Sequence, residues 1–125
     1  MEDDPKVVLM GEDIGKLGGV FRITDGLQKD FGEARVVDTP LAEAGILGTA
    51  VGLAMRGYRP VCEIQFGGFV FPAYNQIVTQ VAKIHARSRG RLPMPITTGS
   101  PSAAASARSS TTARAPRPTS RTPRA

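Results

Sequence analysis

The sequence holds a single cysteine, Cys62, which excludes an intramolecular disulfide and suits a reducing compartment. No stretch approaches the ~20 consecutive apolar residues of a membrane span, and no basic segment followed by an apolar one opens the chain. These absences imply a soluble, cytoplasmic protein with no membrane partner. Acidic residues are missing from 98–125, which hold five Arg, whereas residues 1–97 balance all 11 acids with 11 of the 16 Lys and Arg. The net charge of +5 therefore belongs to the tail, and a nucleic-acid partner inferred from a pI of about 10 would rest on that tail alone. The 125 residues suffice for one small domain with one core.

What is present alternates between strand and helix patterns. Val7–Met10 is an apolar run that reads as a strand buried on both faces. The glycine-rich stretch Gly11–Gly19 follows it, but its spacing matches neither G-x-G-x-x-G nor the P-loop. Its two acids, Glu12 and Asp13, stand where a loop leaving a strand can reach an active-site crevice. Thr24–Gly32 reads as a short helix capped by Thr24 and stopped by Gly32, and Ala34–Asp38 as a second strand. Arg59–Phe66 reads as a third strand that buries Val61 and Ile64, broken by Gly67 and Gly68. A long helix over Pro72–Arg87 then carries Ile77, Val81 and Ile84 on one stripe and ends in Arg87, Arg89 and Arg91, a solvated basic end. His85 falls in its last turn and reads as a surface residue. Pro93–Thr97 opens a fourth strand. Strand, helix, strand, helix, strand is the pattern of an α/β fold, a parallel sheet with helices on its faces.

The segment Asp38–Gly57 organises the rest. Thr39 suits an N-cap, Pro40 the first helical position and Gly57 the C-terminal cap. Leu41, Ala44, Leu47, Val51 and Ala54 recur at helical spacing as one apolar face. Gly45, Gly48 and Gly52 each weaken a helix by roughly 1 kcal/mol against Ala, so three of them imply the close approach of another backbone or a ligand. Glu43, in the first turn, either complements the helix dipole or faces a cleft and touches a ligand.

Six runs carry a resemblance to a known family: Gly11-Glu-Asp-Ile-Gly, Gly18-Gly-Val-Phe-Arg, Asp38-Thr-Pro-Leu-Ala-Glu, Gly57-Tyr-Arg-Pro-Val, Glu63-Ile-Gln-Phe and Phe71-Pro-Ala-Tyr-Asn-Gln-Ile-Val. Together, over residues 5–97, they resemble the beta subunit of the thiamine-dependent decarboxylating component of 2-oxo acid dehydrogenase complexes. The run Glu63–Phe66 looks most like the branched-chain members, with pyruvate and acetoin members as alternatives. The resemblance implies a partial transketolase-like pyrimidine-binding domain over 1–97. It implies thiamine diphosphate as cofactor, a 2-oxo acid as substrate, an alpha subunit as partner in a heterotetramer, and an acyltransferase core beyond it. The diphosphate and Mg2+ motif is absent from this sequence, and the family places it on the alpha subunit. Glu43 matches the glutamate that hydrogen-bonds the cofactor's aminopyrimidine ring and favours its imino tautomer, which removes the thiazolium proton. Leu41, Gln65 and Phe69 match residues lying against the pyrimidine, and Glu12 an acid that approaches the same pocket. Without the family, Leu41 and Phe69 would read as core.

From Thr98 the composition narrows to Ala, Ser, Thr, Pro, Arg and one Gly, with no large apolar side chain, and disorder is expected over 98–125. The family continues here approximately as Ile-Arg-Ile-Pro-Phe-Gly-Gly-Gly-Ile-Gly-Ala-Val-Glu-His-His-Ser-Glu. Shifting the reading frame of the Phe-to-Glu codons by a single base, with G/C-rich synonyms, yields Ser102 to Arg114, thirteen consecutive positions. A single-base frame slip near Thr97 or Thr98 is inferred, which would set Thr112 at the family's active-site histidine. A chain truncated in this way is expected to be inactive alone. The rival reading is a non-enzymatic nucleic-acid-binding protein with a basic tail.

Overall fold

Parallel strands need crossovers, and the alternation of short apolar runs with helical segments supplies them. The structure, a computed structural model, describes residues 1–100. Strands β1 (Val7–Gly11), β2 (Val36–Asp38), β3 (Arg59–Glu63) and β4 (Thr97–Gly99) form one sheet in the order β2-β1-β3-β4, every pair parallel. The fold is α/β, as its sequence pattern predicts. Between the strands lie helices α1 (Leu27–Phe31) and α2 (Glu43–Met55). A 3₁₀ segment (Gly67–Ala73), helix α3 (Tyr74–Gln76), a π turn (Ile77–Val81) and helix α4 (Ile84–Arg87) follow β3. β4 includes Thr98 and Gly99, so ordered pairing runs two residues past the expected boundary after Thr97. The remainder of the expected tail, 101–125, lies outside the described residues.

The chain steps from β1 to β2 in one direction and from β2 to β3 in the other, so right-handed crossovers put α1 and α2 on opposite faces. One face is well covered. Met10, Cys62 and Ile64 pack there with Ile46, Leu47 and Ala50 of α2 and with Ala73, and Ile77, Val81 and Ile96 close the cluster. Ile77 and Val81 of the expected stripe therefore face this core, and Ile84 is buried as well. The opposite face carries Val36, Leu9, Val61 and Thr97 in register. Among the described residues, the single-turn α1, which buries none of its own residues, and loop residues Ile14, Phe21 and Ile23 cover it thinly. That shortage of cover corrects two expectations: β1 is buried on one face and half-buried on the other, and Val61 is half-buried while Pro60, Cys62 and Ile64 are the inward set of the β3 run.

Three helix boundaries differ from the sequence reading. Thr24 does not cap α1; its buried hydroxyl donates to the Ile14 carbonyl at 2.7 Å, and α1 starts at Leu27 behind a left-handed Gly26. Gly32 does end it, and β2 begins at Val36 rather than Ala34. Thr39 and Pro40 do not open α2: the Thr39 hydroxyl makes no capping bond, and the Ala42 N–H closes a further turn on the Pro40 carbonyl at 2.8 Å. Helical geometry starts only at Glu43. Leu41, 76% exposed, and Ala44 thus leave the expected apolar face, which is Ile46, Leu47, Ala50, Val51 and Ala54; Gly57, with φ +85°, ends the helix as expected. The long helix expected over Pro72–Arg87 is broken into four pieces. Pro72 lies in the 3₁₀ segment, and Thr79, within the π turn, donates its hydroxyl back to the Asn75 carbonyl at 2.6 Å.

Candidate functional site

In open parallel sheets the ligand crevice lies beyond the carboxyl ends of the strands, at the point where the chain direction reverses. Here that point is β1, flanked by β2 and β3. The three strands end side by side at Gly11, Asp38 and Glu63. Glu12 and Asp13 follow the first end, and the Asp38–Ala42 connection delivers Glu43 as the first residue of α2 after the second. Gln65 follows the third. Residues far apart in sequence are so collected at one sheet end.

Glu12 is the focus of this crevice. It is 6% exposed, and neither carboxyl oxygen has a hydrogen-bond partner among the described residues. Burial first, then the nearby charges of Glu43 and Asp13, push its pKa above the ordinary carboxylate value. The Gln65 amide reaches toward the Glu12 carbonyl at 3.4 Å and the Asp13 carboxylate at 3.3 Å. A buried carboxyl with unused oxygens, a second acid beside it and an amide within reach form a built polar cluster able to share a proton with, and accept bonds from, a flat nitrogen heterocycle.

The other candidates are placed as follows. Leu41 precedes Glu43 by two residues and is exposed. Phe69 is 42% exposed on the 3₁₀ segment, which packs against α2. Its ring meets Phe66 edge-on at 5.4 Å, and Phe66 meets Phe21 at 6.1 Å. Neither Leu41 nor Phe69 is core, contrary to the reading made without the family. Along α2, among the described residues, nothing lies within 4 Å of a side chain added at Gly52, and one at Gly48 would meet Gln76 at 4.0 Å. His85 lies on the surface, and Arg87, Arg89 and Arg91 are exposed, as expected. Among the described residues no group of three His, Cys, Asp or Glu could hold a metal ion, and no helix is long and apolar enough to cross a membrane.

Two features escaped the sequence reading. Asp38 looked only like the end of a strand, yet its carboxylate accepts the Gly15 N–H at 2.6 Å; an acid closing a strand beside a glycine-rich loop was the available signal. The second is a cavity of about 620 Å³ on the thinly covered sheet face, walled by Leu9, Phe21, Ile23, Leu27 and Val61. Glu63 also borders it, and burial raises that carboxyl's pKa. No local pattern signals the cavity, because its walls come from four separate segments.

Residues 1–114 match the family described as transketolase, pyrimidine binding domain. The chain is 69% identical over 93 residues to the pyruvate dehydrogenase E1 component subunit beta of Leifsonia xyli subsp. xyli (strain CTCB07), covering 74% of this chain and 28% of that protein. It is 54% identical over 96 residues to the protein of that name from Acholeplasma laidlawii, covering 77% and 29%. The counterpart from Staphylococcus aureus is 54% identical over 101 residues, covering 81% and 31%. The chain thus spans less than a third of the length of these relatives. With a parallel sheet whose carboxyl-end crevice gathers Glu12, Glu43 and Gln65, and a family match across most of its length, the chain belongs to the transketolase pyrimidine-binding domain family.

Proposed function

We propose that this chain supplies the aminopyrimidine side of a thiamine diphosphate site in the beta subunit of a 2-oxo acid dehydrogenase. The single observation that carries this reading is the Glu12 carboxyl, buried with both oxygens unpartnered next to Glu43, in a chain closely similar to proteins named pyruvate dehydrogenase E1 beta subunits. Bound there, the cofactor would supply the nucleophilic carbon for decarboxylation. This chain's residues would bind and orient it. Glu43, at the first turn of α2, would hold the proton shared with a pyrimidine nitrogen. Glu12 would occupy its unused oxygens on the same ring system. Gln65 and the exposed Leu41 and Phe69 would flank the ring, with Phe69 offering an aromatic edge or face to the heterocycle. The partners are an alpha subunit, which would hold the diphosphate and Mg2+, and the acyltransferase core of the complex.

The relatives' names favour pyruvate as the 2-oxo acid. The run Glu63-Ile-Gln-Phe66 is the one feature that favours a branched-chain substrate instead. Residues 1–97, grafted onto the remainder of the Leifsonia relative and paired with its alpha subunit, should decarboxylate a 2-oxo acid, pyruvate faster than branched-chain acids. Glu43→Gln keeps the shape and removes the shareable proton, so turnover should fall by about 10²-fold or more. Near-normal turnover by that variant would remove Glu43 from the reaction.

A further inference from the structure

Glu12 occupies a position that a free loop would abandon. Its carboxyl is buried without a partner and faces two like charges, Glu43 on α2 and Asp13 on its own loop, while no cation pairs with it among the described residues. An unpartnered carboxyl so placed favours any rearrangement that brings it to water. The backbone around it must therefore be held. Asp13 adopts a left-handed φ of 57°, and its carbonyl accepts the Gly19 N–H at 2.8 Å. The Ile14 carbonyl accepts the Thr24 hydroxyl at 2.7 Å. The Gly15 N–H donates to the Asp38 carboxylate at 2.6 Å. The last is the one charge-assisted anchor of the three, and the shortest. The site is built tightly enough that a Cβ on Gly15 would collide with the Asp38 carboxylate and the Gln28 amide, and Gln28 is itself tied to the Val36 carbonyl at 2.9 Å.

We propose that Asp38 is a positioning residue, a latch that fixes the Gly11–Gly19 loop to the end of β2 and so keeps the Glu12 carboxyl buried beside Glu43. Asp38 begins the connection that delivers Glu43 to the first turn of α2, so one short segment sets the place of both acids. The inference deepens the proposed cofactor reading, but its test needs no cofactor. Failure of the latch leaves the cofactor assignment standing, and failure of the Glu43→Gln test leaves the latch standing.

The test compares the 125-residue chain with Asp38→Asn, Asp38→Ala and Gly15→Ala. It follows amide exchange at Gly15, the Glu12 titration by carboxyl-carbon NMR, and global unfolding. Asp38→Ala should lower Gly15 protection about tenfold or more, through loss of a charge-assisted bond. It should also move the Glu12 midpoint down toward the ordinary carboxylate range as water reaches the group. Asp38→Asn keeps a neutral acceptor oxygen and should fall between wild type and Asp38→Ala in both readouts; Gly15→Ala should resemble Asp38→Ala. A purely structural role would lower stability and leave the Glu12 midpoint where it was. An unchanged midpoint in folded Asp38→Ala overturns the proposal. Should that variant not fold, unchanged Gly15 protection and Glu12 midpoint in Asp38→Asn overturn it equally.

Discussion

At the residue scale, the buried acids set a pH dependence with a definite sign. The Glu12 pKa is raised in the folded chain, so folding favours its protonated form. Its favourable contribution is fully present below the unfolded value, about 4.3, and is lost as pH climbs through the raised folded value. Glu63, raised by burial, acts in the same direction. Glu12→Gln is neutral at every pH. Its stability relative to wild type should increase as pH rises from the unfolded value through the raised folded value. Urea unfolding across that range measures the difference, and a gap that shrinks with pH would contradict the assignment. Cys62 gives a second residue-scale expectation. It is fully buried, and burial pushes its thiol pKa up to about 11. Alkylation at pH 8 should therefore proceed only as fast as the domain opens, and should accelerate with urea in step with unfolding. Rapid modification of the native chain would show that the core around β3 is looser than this packing.

At the element scale, α2 carries one glycine that no described residue crowds. Gly52 is exposed and a Cβ there meets nothing within 4 Å, so Gly52→Ala should stabilise the isolated chain by about 0.5–1 kcal/mol through backbone entropy. Denaturant midpoints test this, and a loss of stability would mean that the helix is crowded there. Gly15 is the opposite case, since its lack of a side chain is what admits the Asp38 carboxylate. Periodicity in the sequence located α2 and its Gly57 terminator correctly. It misplaced the start by three residues, because Thr39 and Pro40 satisfy every local rule for a helix start while the chain makes one more turn, Ala42 N–H to the Pro40 carbonyl, before α2 begins.

At the scale of the whole molecule, the sheet is covered unequally. Parallel sheets ordinarily bury both faces, whereas the face of Leu9 and Val61 opens into the 620 Å³ cavity. An apolar surface of this kind binds hydrophobic dyes and promotes association. The native chain should therefore enhance the fluorescence of a dye such as ANS. Ile23, 72% exposed at the cavity wall, can be changed to Lys with little effect on folding. Ile23→Lys should reduce that fluorescence while shifting stability by less than about 0.5 kcal/mol, the usual range for surface substitutions. Undiminished dye binding would place the apolar surface elsewhere.

The sequence by itself determined the class of fold, four strand segments, the stripe Ile77, Val81, Ile84, and the acids and amide at strand ends. Each of these is written in a local period or in one residue's chemistry. Only the tertiary structure decided that the Glu12 carboxyl has no hydrogen-bond partner among the described residues, that Asp38 holds Gly15, and that Leu41 and Phe69 stand outside the core. It also decided which face of β3 is inward, reversing the expectation for Val61. The physical reason is the same in each case. Burial and partner choice depend on which segments the crossovers bring together, and residues 12, 38, 43 and 65 meet only because three parallel strands end at one edge of the fold.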